Sequence, residues 1–289
     1  MTTTRKAIVF LAWTFALSWG FAIGGWAAGA HRQLMTGVVA LVLMMTGPAV
    51  AALICALAFE KGRRIEALGL RFKLNWWWLG AWLMGLALAA LSVAATLLLS
   101  DRTLTDPLVN VRAMIEATGQ DASQLDTLPS HVGVVIILQA VSVGALINAL
   151  LLTFTEELGW RGYLHHLWRP SGFWRASLAT GVIWGVWHAP AILLYGHNYP
   201  EHREIGVAIF TLFCILAAPL HTFVRDRGAS VWAAGVLHGT INAMGGVTII
   251  LLSNPAFPWN GIAGLGGFVA LAALLALVSL LRQRRSVQP

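Results

Sequence analysis

Charged side chains are scarce in this sequence: 11% of the 289 residues are Asp, Glu, Lys or Arg, against about 25% in an ordinary soluble domain. A polar surface cannot be assembled from so few, so a soluble globular protein is excluded. Disorder is excluded as well, because 58% of the residues are hydrophobic and disordered chains are poor in them. Cysteine is nearly absent. Cys55 and Cys214 both lie in apolar runs, which rules out a disulfide scaffold and predicts two small buried hydrophobes. The 29 glycines follow no three-residue period, so a collagen-like helix is excluded too.

Long apolar runs fill the sequence instead. A hydrocarbon core about 30 Å thick takes about 20 apolar helical residues to cross. Eight runs qualify, at roughly 7–30, 37–59, 76–99, 131–154, 174–195, 205–224, 229–252 and 261–281. They are continuously apolar rather than alternating, which predicts helices and not barrel strands. The fold expected is all-α: a polytopic membrane bundle of about eight transmembrane helices, forming a single integral-membrane domain over residues 1–289 with a motif-bearing core at about 131–252. The first run is too long for a signal-peptide core and has no clear small-residue cleavage site, so it is read as a retained helix.

The net charge of +7 does not mark a nucleic-acid partner, because the 19 basic residues sit in short groups between the apolar runs. Counted on alternate sides of eight spans, fifteen fall on one side and four, Arg32, Arg102, Arg112 and Arg203, on the other. The larger group comprises Arg5 and Lys6, five residues at 61–73, Arg161, Arg169, Arg175, Arg225, Arg227 and three residues at 282–285. The positive-inside bias then places both termini in the cytoplasm, with the inner membrane as the site if the source is bacterial. Trp76, Trp77 and Trp78 open the third run, where amphipathic rings favour the headgroup region. The polar stretch 100–130 falls on the outer side and is expected to be a solvated loop with one short surface helix near 109–118. Small-residue spacings at Gly20 and Gly24, Gly181 and Gly185, and Gly235 and Gly239 predict close helix packing.

An ionisable side chain inside a bilayer costs roughly 2.5 to 3.5 kcal/mol on insertion scales, so each one in a span is a functional hypothesis. Three places stand out. The fourth run ends in Thr155-Glu156-Glu157-Leu158-Gly159-Trp160-Arg161, the fifth carries Trp184-Gly185-Val186-Trp187-His188-Ala189-Pro190, and the seventh carries His238-Gly239-Thr240-Ile241-Asn242. Glu157 and Arg161 are four apart with the acid first, the orientation that pairs on one helical face. Glu156 is then left to face elsewhere. His238 and Asn242 are also four apart and share a face, while Pro190 should loosen the helix beside His188. Together these groups supply what peptide hydrolysis needs. Glu156 would take a proton from water as general base with His188 holding that water, and His238 and Asn242 would donate to the oxyanion.

The order Glu-Glu-x3-Arg, aromatic-x3-His and His-x3-Asn, each on its own span, resembles the CAAX protease and bacteriocin-processing family, which includes the Ras-converting CAAX endopeptidase. One departure is that the second motif usually begins with Phe and here has Trp184. The resemblance implies an intramembrane endopeptidase whose site opens to the cytoplasm and whose substrate is a peptide or a membrane-associated, possibly lipidated, protein in the lipid bilayer. By motif position Glu156 activates water, His188 is its partner, His238 and Asn242 serve the oxyanion, and Glu157 with Arg161 form a supporting pair.

Other readings stay open. Glu156, His188 and His238 would also make the two-His, one-carboxylate set of a catalytic zinc, but there is no His-Glu-x2-His pair, and no cofactor is the preferred expectation. A transporter or a non-enzymatic immunity or scaffold protein remains a further alternative. Among the other histidines, His165, His166, His197, His202 and His221 are explained by interfaces and loops, and none of these is expected to be a ligand. One point of depth is awkward: Glu156 ends its apolar run, whereas His188 and His238 lie well inside theirs. Either the fifth span begins later than 174, or the fourth continues as a helix through His166.

Overall fold

The computed structural model describes residues 1–129 and 131–286. Ser130, which closes the polar stretch, and residues 287–289 lie outside them. Among the described residues, eight helices are long and apolar enough to cross a membrane: Thr3–Ala27, Leu34–Phe59, Trp76–Leu99, Val132–Ser171, Phe173–Tyr195, Arg203–Gly228, Val231–Ile250 and Leu265–Gln283. No β-strand occurs among the described residues. The chain is thus an all-α, integral membrane protein with the eight spans expected, and only the fourth departs strongly from its apolar run. The helices fall into two compact units, Met1–Ala81 with Leu150–Gly235, and Trp82–Ala149 with Val236–Pro289.

In the first unit the first two spans pack side by side. Gly47 lies so near Ser18 that an added Cβ would stand 2.0 Å from its Oγ. Lys6 and Glu60 tie the ends of the same two helices with a 2.6 Å ion pair. The second span then meets the later half of the fourth, where a Cβ on Gly159 would come within 2.5 Å of the Pro48 Cβ and 2.8 Å of the Pro48 carbonyl oxygen. The fifth span lies equally close to the sixth: a Cβ on Gly181 would reach the Ile215 Cα at 2.6 Å, and one on Gly185 the Thr211 Cα at 2.4 Å. Small residues are what let membrane helices approach to this distance. The expectation from spacing therefore holds for Gly181 and Gly185 but not for Gly20 and Gly24, around which an added Cβ meets nothing within 4 Å. Both cysteines are buried and free.

In the second unit Gly239 of the seventh span sits on the backbone of the fourth, with the Ala149 nitrogen 2.2 Å from a would-be Cβ. Trp82 donates its indole N–H to the carbonyl of Val141 at 2.9 Å, inside a short π-helical segment, Ala140–Gly144, that interrupts the fourth span. The polar stretch is less free than a solvated loop. Its surface helix, Pro107–Glu116, is capped by Asp106. From that helix Asn110 donates to the carbonyls of Ile250 and Leu252 at 3.0 and 2.8 Å, gripping the far end of the seventh span.

The tryptophans that open the third span divide their roles. Trp76 is 84% exposed, as suits a ring in the headgroup region. Trp77 packs edge-on against Phe223 at 5.2 Å and lies under the Arg227 guanidinium.

Candidate active site

The fourth span settles the question of depth. It continues, through two π-helical segments, for 40 residues from Val132 to Ser171, so Glu156 lies past its middle rather than at its end. The fifth begins at Phe173, as early as expected. Hydropathy had ended the fourth span near 154 because the residues beyond it are polar. They remain helical inside the protein, where the Glu157–Arg161 ion pair and a bond from Arg225 to the Arg161 carbonyl take up part of their polar character.

That extension is not α-helical. Thr153–Leu164 form a π-helix that contains the whole first motif, and every residue in it except Phe154 is buried. The wider i→i+5 turn is rare and is frequently found at functional sites. Glu157 and Arg161 pair within it at 2.9 Å, with side chains 0% and 1% exposed, as their spacing predicted. Arg225 of the sixth span reaches across and donates Nε to the Arg161 carbonyl at 2.9 Å. The Arg161 guanidinium carbon lies over the ring of Trp184, 4.4 Å from its centroid. A cation held over an indole face in a dry site is stabilised by the ring quadrupole.

Trp184 also holds the other acid. Its indole N–H donates to Oε2 of Glu156 at 2.9 Å, and Glu156 is 3% exposed. The main-chain carbonyl of the same residue lies 2.8 Å from Nδ1 of His188. With Nδ1 as the protonated nitrogen, that bond directs Nε2 as the acceptor. His188 stands where the fifth span breaks into Phe173–Trp187 and Ala189–Tyr195. Its own N–H turns to the Gly185 carbonyl at 3.1 Å, three residues back instead of four, which matches the loosening expected from Pro190. Trp187 and Phe210 wall the imidazole at ring distances of 4.6 and 4.7 Å.

His221 was not expected here. It is 1% exposed, its Nδ1 lies 2.9 Å from the Ala217 carbonyl, and its ring meets Trp184 edge-on at 5.3 Å. A ring nitrogen of His221 lies within 4.8 Å of a Glu157 carboxylate oxygen. The signal was present, since a histidine within an apolar run is costly, but the nearby Arg225 suggested an interface. His165 is also buried rather than interfacial, and bonds Asp226 at 3.1 Å.

In the second unit His238 is 5% exposed, whereas Asn242, one turn on, is exposed. Their four-residue spacing therefore gives one aligned pair with unequal burial. The flanking Thr240 returns its hydroxyl to the Val236 carbonyl at 2.7 Å.

An integral membrane protein that buries an acid pair, an indole-held carboxylate and a helix-breaking histidine in one unit fits the hydrolase reading of its motifs. Residues 138–244 match the family model described as type II CAAX prenyl endopeptidase Rce1-like. The matched segment contains all three motifs and supports the assignment to the CAAX protease and bacteriocin-processing family. A search of curated proteins finds no match.

Proposed function

We propose that the protein is an intramembrane endopeptidase that hydrolyses a peptide bond with a water activated by Glu156 and His188. The observation that carries this reading is the double attachment of the pair to Trp184, by the indole to Glu156 and by the carbonyl to His188. Preorganised acceptors of this kind are what a general base needs. Glu156 removes a proton from water, and the hydroxide so formed adds to the scissile carbonyl carbon. His238 and Asn242, by their place in the third motif, donate to the resulting oxyanion. The intermediate then breaks its C–N bond, and the proton passes from Glu156 to the leaving amine. Arg161 neutralises Glu157, so that only one of the adjacent acids takes part.

The site opens to the cytoplasm in this reading. Arg161 is buried inside the span and leaves the loop count, yet fourteen basic residues against four still favour both termini inside. Hydrolysis requires a water-filled path to Glu156, and polar groups at membrane depth are compatible with one. The substrate is a membrane-associated protein or peptide, with a lipid anchor as the feature that would bring its scissile bond to the bilayer.

Zinc is the alternative holder of that water, and His188 has one feature of a ligand, its Nδ1 being tied to a carbonyl. An imidazole whose Nδ1 is tied to a carbonyl is the usual arrangement of a metal-binding histidine, and Glu156, His188 and His238 would be the ligands. Bound there, the metal would supply a water of lowered pKa. The test is cleavage of a quenched fluorescent peptide carrying a farnesylated Cys-aliphatic-aliphatic-X end, beside the unmodified peptide, by the purified full chain in lipid nanodiscs. Turnover lost in Glu156→Gln supports the reading. Equal turnover in that variant, or none by the natural chain on either peptide, overturns it.

A further inference from the structure

The second motif carries Trp184 where an apolar ring would pack equally well, and the packing does not use the indole nitrogen. That nitrogen donates to Glu156 Oε2 at 2.9 Å, and both residues are buried. A hydrogen bond to an ionised carboxylate is shorter and roughly twice as strong as a neutral one. One oxygen of Glu156 is thus held by a rigid ring. The ring itself is clamped on one side by the Arg161 guanidinium at 4.4 Å and on another by His221 at 5.3 Å. Four residues on, the same residue's carbonyl takes the His188 Nδ1 at 2.8 Å.

We propose that Trp184 is a positioning residue of this site: its indole N–H aims the Glu156 carboxylate, while its carbonyl aims His188, so base and partner share one rigid reference. The inference rests on the reading of Glu156 as the base and adds a specific instrument to it. The ring's clamps extend the role outward. Arg161 neutralises Glu157 and at the same time seats the indole, so the supporting ion pair acts on the chemistry through Trp184.

Trp184→Phe is the discriminating variant, because it keeps an aromatic ring against Arg161 and His221 and deletes only the donor and the second ring. In the farnesylated-peptide assay kcat should fall about 10- to 100-fold, the worth of a hydrogen bond to a charged group, with KM within about twofold. A merely structural role would lower the yield of folded protein and leave kcat per folded molecule unchanged. The second measurement needs no substrate. With 15N-indole tryptophan in all 14 positions, the Trp184 resonance is the one missing from Trp184→Phe. It should shift in Glu156→Gln, where the acceptor loses its charge, and stay in place in Glu60→Gln. An unmoved Trp184 resonance in Glu156→Gln, or an unchanged kcat in Trp184→Phe beside an inactive Glu156→Gln, overturns the positioning role alone. Full turnover in Glu156→Gln overturns the functional reading beneath it.

Discussion

Arg161 pairs with Glu157 at 2.9 Å where neither side chain has more than 1% of its surface exposed. Removing one member of such a pair strands a buried charge and costs about 3 to 5 kcal/mol, whereas replacing both by apolar groups is often neutral. Arg161→Ala should therefore sharply lower the temperature at which the detergent-solubilised protein unfolds. The double variant Glu157→Leu with Arg161→Met should unfold closer to the natural chain than either single change does. A double variant as unstable as the two single losses added together would show that the charges do not act as a pair.

Gly159 supplies a second test, this time of packing. A methyl group there would stand 2.5 Å from the Pro48 Cβ and 2.8 Å from its carbonyl oxygen, and neither is a flexible side-chain end. Gly159→Ala should lose about 1 to 3 kcal/mol through overpacking. Gly20→Ala, with nothing within 4 Å of the new atom, should leave the unfolding midpoint nearly unchanged. Comparing the two midpoints checks the close approach without any assay of activity.

Activity should separate the motif residues by role. Glu156→Gln and His188→Ala should abolish turnover with normal amounts of folded protein, since they remove the base and its partner. Asn242→Ala should lose a factor of about 10² to 10³, the usual consequence of deleting one oxyanion donor. A residual rate in Asn242→Ala equal to that of the natural chain would take it out of the mechanism.

Metal analysis decides what holds the water. Under glutamate catalysis, turnover should survive prolonged chelation, and purified protein should contain well under one zinc per chain. Stoichiometric zinc whose removal stops turnover and whose return restores it would reassign Glu156, His188 and His238 as ligands.

Topology can be read independently of all these. Reporter fusions after Lys73, Arg169, Arg227 and Arg285 should report the cytoplasm, and fusions within 101–130 the outside. An outside signal after Arg169 would put the end of the fourth helix, and the path to Glu156, on the wrong face.

The spans were legible because composition alone specifies a membrane helix. Their boundaries agree with the apolar runs to within a few residues, except in the fourth. There the polar motif looked like a helix end, and only tertiary contacts such as Arg225 on the Arg161 carbonyl explain why the helix goes on. The π-helical turn of Thr153–Leu164 has no periodic signature in so short a stretch. Pairing within the first motif was legible because four-residue spacing is local. The indole bond from Trp184 to Glu156 crosses 28 positions, and nothing in the aromatic-x3-His pattern distinguishes a ring that packs from one that donates. His221 was hidden for the same reason: the nearest charge in sequence is Arg225, four positions on, while its neighbours in space include Trp184 and Glu157.

Asn110 belongs to none of the motifs, yet it holds the last carbonyls of the seventh span through Ile250 and Leu252. Asn242 lies about two helical turns back along that same helix. A helix secured at its terminus cannot rotate or slide freely, so the angular setting of Asn242 is fixed in part by a side chain on the polar stretch between the third and fourth spans. In the proposed mechanism, the setting of one oxyanion donor is in this way anchored in part outside the three motifs.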